Sequence, residues 1–405
     1  MDVLIITGSP LRLNSSANLC HRAYIFGLIE NGNTVDIIEM SEKDLNIDDT
    51  ITVPDFRNVY EYGSSFYSKL GAKKSSTIVI SRTDSEENLK FNINFKSKLK
   101  RFVRTKLYGI YGMDIVWYYK VKFGYKQNAN YDLVVSLAYP LVSHKVAEFL
   151  LKKRIVAKKW IQIWEDPWSL APGNNYRNPK SLREERRILS KADEIIYVSP
   201  ITLSYQKEEF PESSDKMRWL PLPSYFSEND NNIDFSELKF GYFGDYTSDV
   251  RNLKPFYNVV NDFKLNTVIC GKSDLNLVSN DSITIRPRIP IGELKEYEEK
   301  TNVLVLLCNL GGGQIPGKIY QCSATNKLIL FILDGSDDEK RIITEYFSQF
   351  NRFVFCDNNE DSIKDAINSI PKYLKSDCYT KPLDLFSPKN IARCIVENTD
   401  LDYCT

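Results

Sequence analysis

Residues 303–333 carry the sequence pattern that most constrains the fold of this chain. Residues 303–308 and 327–333 are apolar runs, too short for helices and rich in branched side chains, which predicts two buried parallel strands. Between them, three consecutive glycines are followed by Pro316, where a first helical residue would stand, and by Asn326, where a helix often ends. The pattern predicts a strand, a glycine loop, a helix and a second strand.

The predicted glycine loop and helix start suit an anionic ligand. Glycines let a backbone approach a ligand closely, and the unpaired amides at a helix start bind anions. Lys318 would add a full positive charge, and Gln321 follows at a place that suits a hydroxyl next to a phosphate. The candidate binding residues are Gly312, Gly313, Gln314, Gly317, Lys318 and Gln321. The alternative is a tight crossover whose glycines only relieve crowding.

Residues 316–329 read Pro-Gly-Lys-Ile-Tyr-Gln-Cys-Ser-Ala-Thr-Asn-Lys-Leu-Ile, and this segment resembles the donor site of GT-B glycosyltransferases related to family 4. The resemblance implies an enzyme that moves a sugar from a nucleotide with retention of anomeric configuration. It also implies two Rossmann-like domains facing across a cleft. In that family a glutamate stands at the position of Gln321 and an acidic residue at that of Gly313, so this chain departs from the pattern at both positions.

The whole chain repeats this alternation of strands and helices, which predicts a doubly wound α/β architecture. At 405 residues it is long for a single core. We expect an acceptor-binding domain over 1–226, a nucleotide-sugar-binding domain over 235–386, and a helix within 387–405 that crosses back to the first domain. The polar run 227–234 between them is the expected linker. Predicted strands lie at 3–6, 34–40, 77–82, 131–139, 160–164 and 194–199, and then at 267–271, 282–288, 303–308, 327–333 and 352–356.

The second domain opens with residues 240–254, a predicted strand, loop and helix. Members of the resembled family have an arginine directly after the second glycine of this opening and a lysine six or seven positions later, and both contact the donor diphosphate. Asp245 stands in the first place. The resemblance therefore implies a phosphate contact for Arg251 only, with Lys254 in reserve.

Residues 164–168, Trp-Glu-Asp-Pro-Trp, leave the end of a predicted strand, where side chains face the ligand crevice of a parallel sheet. The resembled family often has a polar residue near the reacting carbon here. Asp166 is the first candidate for a catalytic carboxylate and Glu165 the second. If the reaction inverts the sugar, Asp166 would have to be the general base. The alternative is that these carboxylates cap the following turn.

Two other functions remain open on the sequence. Residues 6–18 resemble the phosphate loop of flavodoxin-like flavin reductases, a likeness limited to about forty residues, which would imply an FMN-dependent oxidoreductase. Ser15 or Ser16 is equally expected as an ordinary helix cap. Gly313 and Asp245 stand where the glycosyltransferase family has ligand contacts, which would fit a sugar-nucleotide-binding protein without activity.

Residues 90–126 are strongly basic, with Asp114 as the single acid among interleaved aromatic residues. This composition predicts a surface that lies on an anionic membrane. A solvated basic helix packed through its aromatic residues is the alternative. The cations are Lys90, Lys96, Lys98, Lys100, Arg101, Arg104, Lys106, Lys120, Lys122 and Lys126.

Composition excludes several classes of protein. Lys plus Arg equals Asp plus Glu at 53 each, so no global field favours nucleic acid. Eight cysteines without a C-x-x-C pair are typical of reduced thiols in a cytosol, and two histidines leave little material for a zinc site or a Ser-His-Asp triad. We expect a cytoplasmic enzyme without a signal peptide or membrane span. The resemblance to GT-B glycosyltransferases implies a glycan or lipid-linked acceptor in bacterial surface polysaccharide synthesis. It also implies no metal or other cofactor, because Arg251, Lys318 and the loop amides could stabilise the leaving diphosphate.

Overall fold

A computed structural model describes residues 1–43, 47–63, 109–168, 179–225, 233–375 and 382–401. They form two parallel sheets with helices against them, which confirms the predicted α/β architecture. The strands of the first sheet are β1 (Asp2–Thr7), β2 (Thr34–Met40), β3 (Asn58–Tyr62), β4 (Ala129–Ala138), β5 (Ile155–Trp164), β6 (Glu194–Tyr197) and β7 (Met217–Trp219). Those of the second are β8 (Lys239–Phe243), β9 (Asn266–Cys270), β10 (Ile283–Arg286), β11 (Val303–Leu307), β12 (Leu328–Leu333) and β13 (Phe353–Asp357).

The strand order is β3-β2-β1-β4-β5-β6-β7 in the first sheet and β10-β9-β8-β11-β12-β13 in the second. The chain order reverses beside β1 and beside β8, and ligands of such open sheets bind at the carboxyl end of this switch point. The helices of the first half are α1 (Ser16–Glu30), α2 (Ile115–Gly124), α3 (Val142–Lys153), α4 (Pro179–Leu189) and α5 (Pro200–Glu209). The later helices are α6 (Lys254–Asp262), α7 (Ile291–Glu299), α8 (Lys318–Ser323), α9 (Asp337–Ser348), α10 (Glu360–Leu374) and α11 (Pro388–Glu397).

Short polar residues begin several of these helices. The Ser15 side chain accepts a hydrogen bond from the Asn18 amide at the start of α1, so Ser15 is the N-cap. Ser387 does the same for α11, where Pro388 takes the first helical position. The helix after the glycine loop is shorter than predicted. Pro316 and Asn326 were the expected first residue and end, whereas α8 begins at Lys318 and ends at Ser323.

The hydrophobic core shows how the first and second halves of the chain are joined. One hydrophobic cluster contains residues of both sheets and of α11, while a second lies within the second half and a third within the first. Helix α11 packs on α1 so closely that a Cβ added at Gly27 would lie 1.9 Å from the Pro388 carbonyl oxygen. The C-terminal helix therefore lies against the first half of the chain.

Two strands were not expected from the sequence. The edge strand β3 pairs with β2 through polar and exposed residues, so its sequence lacks the apolar run of a buried strand. The three-residue strand β7 is too short to leave a pattern. The strand predicted at 77–82 and most of the expected linker 227–234 lie outside the described residues. None of the described helices is long and apolar enough to cross a membrane.

Candidate functional site

The loops that follow β1, β5, β8 and β11 surround a cleft between the two sheets. Two cavities of about 240 and 220 Å³ lie in it and share Arg251, Lys318 and Tyr225 among their lining residues. The first cavity extends toward the ends of β8 and β9, and the second toward Glu165 and Asp166. The cleft thus brings together the candidate residues that lie far apart in sequence.

Two cations line the second-sheet side of this cleft. Arg251 precedes α6 and donates from Nε to the Asn309 side-chain oxygen over 2.8 Å. Lys318 is the first residue of α8, and its Nζ lies 6.0 Å from the centre of the Phe243 ring. Within the described ranges neither residue forms an ion pair with a protein carboxylate. Both positive charges therefore remain available to an anionic ligand.

The triglycine loop is organised around a protein carboxylate. Gly312 and Gly313 have positive φ angles of 66° and 82°. The Gly312 amide donates to the Asn309 carbonyl over 2.9 Å, and the Gly313 amide donates to Glu339 Oε1 over 2.6 Å. Neither amide is free for a phosphate in this arrangement, contrary to expectation. Both amides therefore stabilise the loop itself in this arrangement.

Glu339 has several partners that fix it beneath the loop. Its carboxylate accepts from the amide and hydroxyl of Ser336 in a capping box at the start of α9, and from the Tyr205 hydroxyl at 3.3 Å. A Cβ at Gly312 would lie 2.0 Å from Glu339 Oε2, so the glycine makes room for this carboxylate. The sequence does show the S-x-x-E capping box, but not that its glutamate reaches the glycine loop.

The other predicted loop residues do line the cleft. Gln314 donates from Nε2 to Asp166 Oδ1 over 2.5 Å, which joins the two halves across the cleft. The Gln321 side-chain oxygen accepts from the Tyr225 amide over 2.7 Å. Gly317 passes close to the first half, because a Cβ there would lie 2.6 Å from the Leu222 side chain.

Asp166 follows β5 and its side chain is exposed to solvent in the cleft. The walls of the cleft nevertheless remove much of the water around its carboxyl group. Desolvation raises its pKa, opposed by the Gln314 hydrogen bond and the positive charge of Arg251. Its neighbour Glu165 also lines the cleft, and burial followed by the nearby charge of Asp166 raises the Glu165 pKa well above its usual range. Each of these two carboxyl groups therefore keeps its proton to a higher pH than a carboxyl group fully surrounded by water.

The buried His21 on α1 faces Glu165 from beneath the cleft. Its Nε2 lies 3.5 Å from Glu165 Oε1, and its Nδ1 is 3.2 Å from the Thr7 hydroxyl. Burial lowers the His21 pKa to about 3. Since burial disfavours charge on both partners, we describe His21 and Glu165 as a neutral pair. No local sequence pattern connects these two residues.

The loop after β1, which suggested a flavin, uses its polar groups internally. The Asn18 side-chain amide donates to the Ser9 hydroxyl and to the carbonyls of Pro10 and Leu13. The Gly8 amide donates to the Ser143 hydroxyl over 2.9 Å. These contacts hold the loop in shape and account for Ser9 and Asn18 without a bound phosphate, whereas Asn14, Ser15 and Ser16 line the first cavity.

Asp245, which stands where the resembled family has an arginine, is also bound to protein. It accepts from Arg288 Nη2 over 2.5 Å and from the Lys272 amide over 2.9 Å. Among the residues that the structure describes, no group of three or more His, Cys, Asp or Glu could hold a metal ion. Six of the eight cysteines lie in the described ranges, and all six are free thiols in buried positions.

A scan against protein-family models finds no match to this sequence, and a search of curated proteins finds no significant one. Solved structures do match. Sucrose-phosphate synthase from Thermosynechococcus elongatus aligns with 98% of this chain and 94% of its own, at 14% identity and a TM-score of 0.55. The catalytic domain of starch synthase IV from Arabidopsis thaliana, bound to ADP and acarbose, aligns over 99% and 96%, at 9% identity and a TM-score of 0.57.

These neighbours define the class of fold. The two parallel sheets, their facing carboxyl ends and the returning C-terminal helix are the GT-B architecture of glycosyltransferases. The predicted GT-B fold is therefore confirmed. At these identities the likeness establishes the fold alone.

Proposed function

We propose that this protein is a glycosyltransferase that moves a hexose from a nucleotide-sugar donor to a glycan or lipid-linked acceptor. One observation carries the proposal: Arg251 and Lys318 line one wall of the interdomain cleft, and Asp166 and Glu165 line the other. A departing nucleoside diphosphate develops negative charge, and two unpaired cations in a largely enclosed site stabilise it. Neutral sugar hydroxyls are recognised by carboxylates and amides such as those opposite.

On the donor side, we assign the diphosphate to Arg251 and Lys318, and the ribose to Gln321. Gln321 lines the first cavity next to Lys318, and its side-chain oxygen accepts from the Tyr225 amide, which fixes the direction of its amide group. Gln314 and Gly317 complete this wall. In this proposal residues 235–386 bind the nucleotide sugar, and residues 1–226 bind the acceptor.

On the acceptor side, the resemblance to family 4 favours retention, in which a donor phosphate oxygen receives the acceptor proton. Asp166 then orients the acceptor. In an inverting reaction Asp166 would be the base, and a raised pKa makes a carboxylate a better proton acceptor at neutral pH. The anomeric configuration of the first product formed, read by NMR, distinguishes the two.

The test begins with a thermal-shift panel of UDP, GDP, dTDP and CMP sugars, since a ligand that binds the folded state raises the melting temperature. For the best ligand, we expect Arg251→Ala and Lys318→Ala each to weaken binding in calorimetry about tenfold, about 1.4 kcal/mol. Lys254→Ala is the matched control, because Lys254 lines neither cavity. Unchanged binding in both cleft variants, or no ligand in the panel, would contradict the proposal.

Asp166→Asn separates binding from catalysis. We expect it to leave nucleotide affinity within about twofold, because the carboxylate lies on the opposite wall, and to reduce sugar transfer by about a hundredfold or more. Transfer of labelled sugar also excludes the inactive binding protein suggested by Gly313 and Asp245. An absorbance spectrum of purified protein tests the flavin alternative, and visible flavin bands would support it.

We further propose that the enzyme works at the cytoplasmic face of an anionic membrane, in bacterial surface polysaccharide synthesis. Residues 90–108 of the basic segment lie outside the described residues, but α2 is described. Its Tyr119 and Phe123 rings stack and are 48% and 66% exposed. Lys122 lies within 6 Å of both rings. Exposed aromatics beside cations fit the interface of an anionic bilayer.

Co-sedimentation with phosphatidylglycerol vesicles tests this surface. We expect binding that falls as salt rises and weakens severalfold in Phe123→Ser. Phe263→Ser is the matched control, since Phe263 is 41% exposed on the other half of the molecule. Absence of binding at low salt, or equal losses in both variants, would argue against a membrane role.

A further inference from the structure

A chain of side-chain hydrogen bonds crosses the cleft from Arg251 to Asp166. Arg251 Nε donates to Asn309 Oδ1 over 2.8 Å. Asn309 Nδ2 donates to Gln314 Oε1 over 3.1 Å, and Gln314 Nε2 donates to Asp166 Oδ1 over 2.5 Å. The three bonds run in one direction, from a cation through two amides to a carboxyl group.

The direction of this chain fixes the orientation of both amides. A guanidinium can only donate and a carboxylate can only accept, so each amide must turn its oxygen toward Arg251 and its nitrogen toward Asp166. Reversing either amide would break two bonds at once. Aligned amide dipoles also strengthen one another in a site of low dielectric constant.

Asn309 holds Arg251 without neutralising it. Asn309 is 5% exposed just beyond β11 and lines neither cavity, so it acts from behind the cleft wall. Its neutral oxygen engages only the Nε of Arg251. The two terminal nitrogens of the guanidinium, which have no partner among the described residues, keep the full charge for a ligand. A carboxylate at this position would cancel much of that charge.

We infer that Asn309 is a positioning residue that orients Arg251 for the donor diphosphate and, through Gln314, links it to Asp166 in the other half of the cleft. This inference rests on the proposed function and deepens it. Asn309 sets the direction of the guanidinium, while Gln314 sets the direction of the Asp166 carboxyl. The two residues therefore have separate consequences, for donor affinity and for turnover.

The first measurement needs no ligand. In protein labelled with ¹⁵Nε-arginine, the Nε–H signal of Arg251 is assigned by its disappearance in Arg251→Lys. We expect this signal to move and exchange faster with water in Asn309→Ala, because its acceptor is gone. It should stay in place in Asn252→Ala, a neighbouring asparagine whose side chain accepts only from the Lys254 amide. An unmoved signal in Asn309→Ala overturns the inference whether or not a nucleotide binds.

The second measurement uses calorimetry with whichever of UDP, GDP, ADP and dTDP most raises the melting temperature. We expect Asn309→Ala to weaken binding about tenfold, and Asn309→Asp to weaken it further because the new carboxylate opposes the phosphate charge. In an Arg251→Ala background, Asn309→Ala should have no further effect on affinity. Equal affinity of Asn309→Ala and the unaltered protein, or a full additional loss in the double variant, overturns the inference.

Gln314→Ala gives the complementary result. We expect kcat to fall about tenfold, with partial recovery in Gln314→Asn, in addition to any rise in KM from the place of Gln314 on the donor wall. If Gln314→Ala raises KM without lowering kcat, the link to Asp166 is wrong. If neither these four nucleotides nor any sugar of the thermal-shift panel binds, the proposed function fails, and the arginine signal still decides whether Asn309 positions Arg251.

Discussion

At the scale of single residues, the three glycines of the loop have different reasons to be glycine. A Cβ at Gly312 would collide with Glu339, whereas Gly313 has a positive φ of 82° with nothing within 4 Å, and Gly311 has open space. Glu339 in turn receives the Gly313 amide. The glycine triplet therefore makes room for the buried Glu339 carboxylate and donates a hydrogen bond to it. The sequence alone had indicated an open anion site.

This difference among the glycines predicts a graded effect on stability. We expect Gly312→Ala to lower the free energy of unfolding by about 3 kcal/mol, because it adds a clash to backbone strain. Gly313→Ala should cost about 1 kcal/mol for the positive φ alone, and Gly311→Ala should be within about 0.5 kcal/mol of the unaltered protein. Urea unfolding measures all three. Equal effects of the three variants would contradict the role of Glu339.

The buried Glu39 on β2 gives a pH-dependent prediction. Its carboxyl accepts from the Leu11 amide over 3.1 Å, and burial raises its pKa to about 7. The folded state thus favours the protonated form. That contribution is complete below pH ~4.5, the pKa in an unfolded chain, and is lost as the pH rises through 7. Glu39→Gln, which stays neutral, removes this dependence.

We therefore expect Glu39→Gln to stabilise the protein at pH 8 by up to ~3 kcal/mol and to have little effect near pH 4.5. Urea unfolding at the two pH values measures the difference. Glu30→Gln, at the exposed end of α1, is the control for the loss of a glutamate carboxyl from the same half. If Glu39→Gln instead becomes less stable relative to the unaltered protein as the pH rises, the carboxylate is the form preferred in the folded state.

At the scale of elements, the contact of α1 with α11 depends on Gly27. A glycine inside a helix normally costs stability relative to alanine. Here alanine would place its Cβ 1.9 Å from the Pro388 carbonyl oxygen, so the close approach of the two helices outweighs helix propensity. We expect Gly27→Ala to destabilise the protein by about 2 kcal/mol and to expose α11 to limited proteolysis.

Gly292→Ala in α7 is the matched control for the helix contact. No atom lies within 4 Å of its added Cβ, so propensity alone applies and the variant should be neutral or up to about 1 kcal/mol more stable. Thermal unfolding of both variants makes the comparison. If Gly27→Ala is as stable as Gly292→Ala, the helices have room to separate, and α11 is a loosely held element.

At the scale of the whole molecule, the hydrophobic cluster shared by both sheets predicts cooperative unfolding. All five tryptophans precede residue 220, but the Trp219 ring packs against that of Tyr346 in the second half, with the ring centres 5.3 Å apart. In a Trp219→Phe background the fluorescence therefore reports the first half. Ile363 and Ile367 lie on α10, in the cluster confined to the second half. We expect the double variant Ile363→Ala/Ile367→Ala to lower the tryptophan-fluorescence midpoint together with the circular-dichroism midpoint, because each truncation costs about 2–5 kcal/mol.

The same double variant can also show that the two halves unfold separately. If the circular-dichroism midpoint falls while the fluorescence midpoint stays, the halves unfold separately and the shared cluster does not couple them. Ile391→Ala/Ile395→Ala in α11, whose residues belong to the shared cluster, gives the comparison and should lower both midpoints in either case.

The sequence by itself determined the order of strands and helices in the second half and most of the first, because local periodicity and helix caps depend on neighbouring residues. It also identified Asp166 as a carboxylate after a buried strand and Lys318 as a cation at a predicted helix start, while Arg251 was implied only by the resemblance to glycosyltransferases. It missed β3, whose edge position leaves it polar.

Only the tertiary structure decided which polar groups meet. Gln314 reaches Asp166 across 148 positions of sequence, and Glu339 reaches the Gly313 amide across 26. No local pattern encodes such pairs, because a hydrogen bond between distant residues depends on how whole elements pack. The cleft residues and the inferred role of Asn309 follow from that packing.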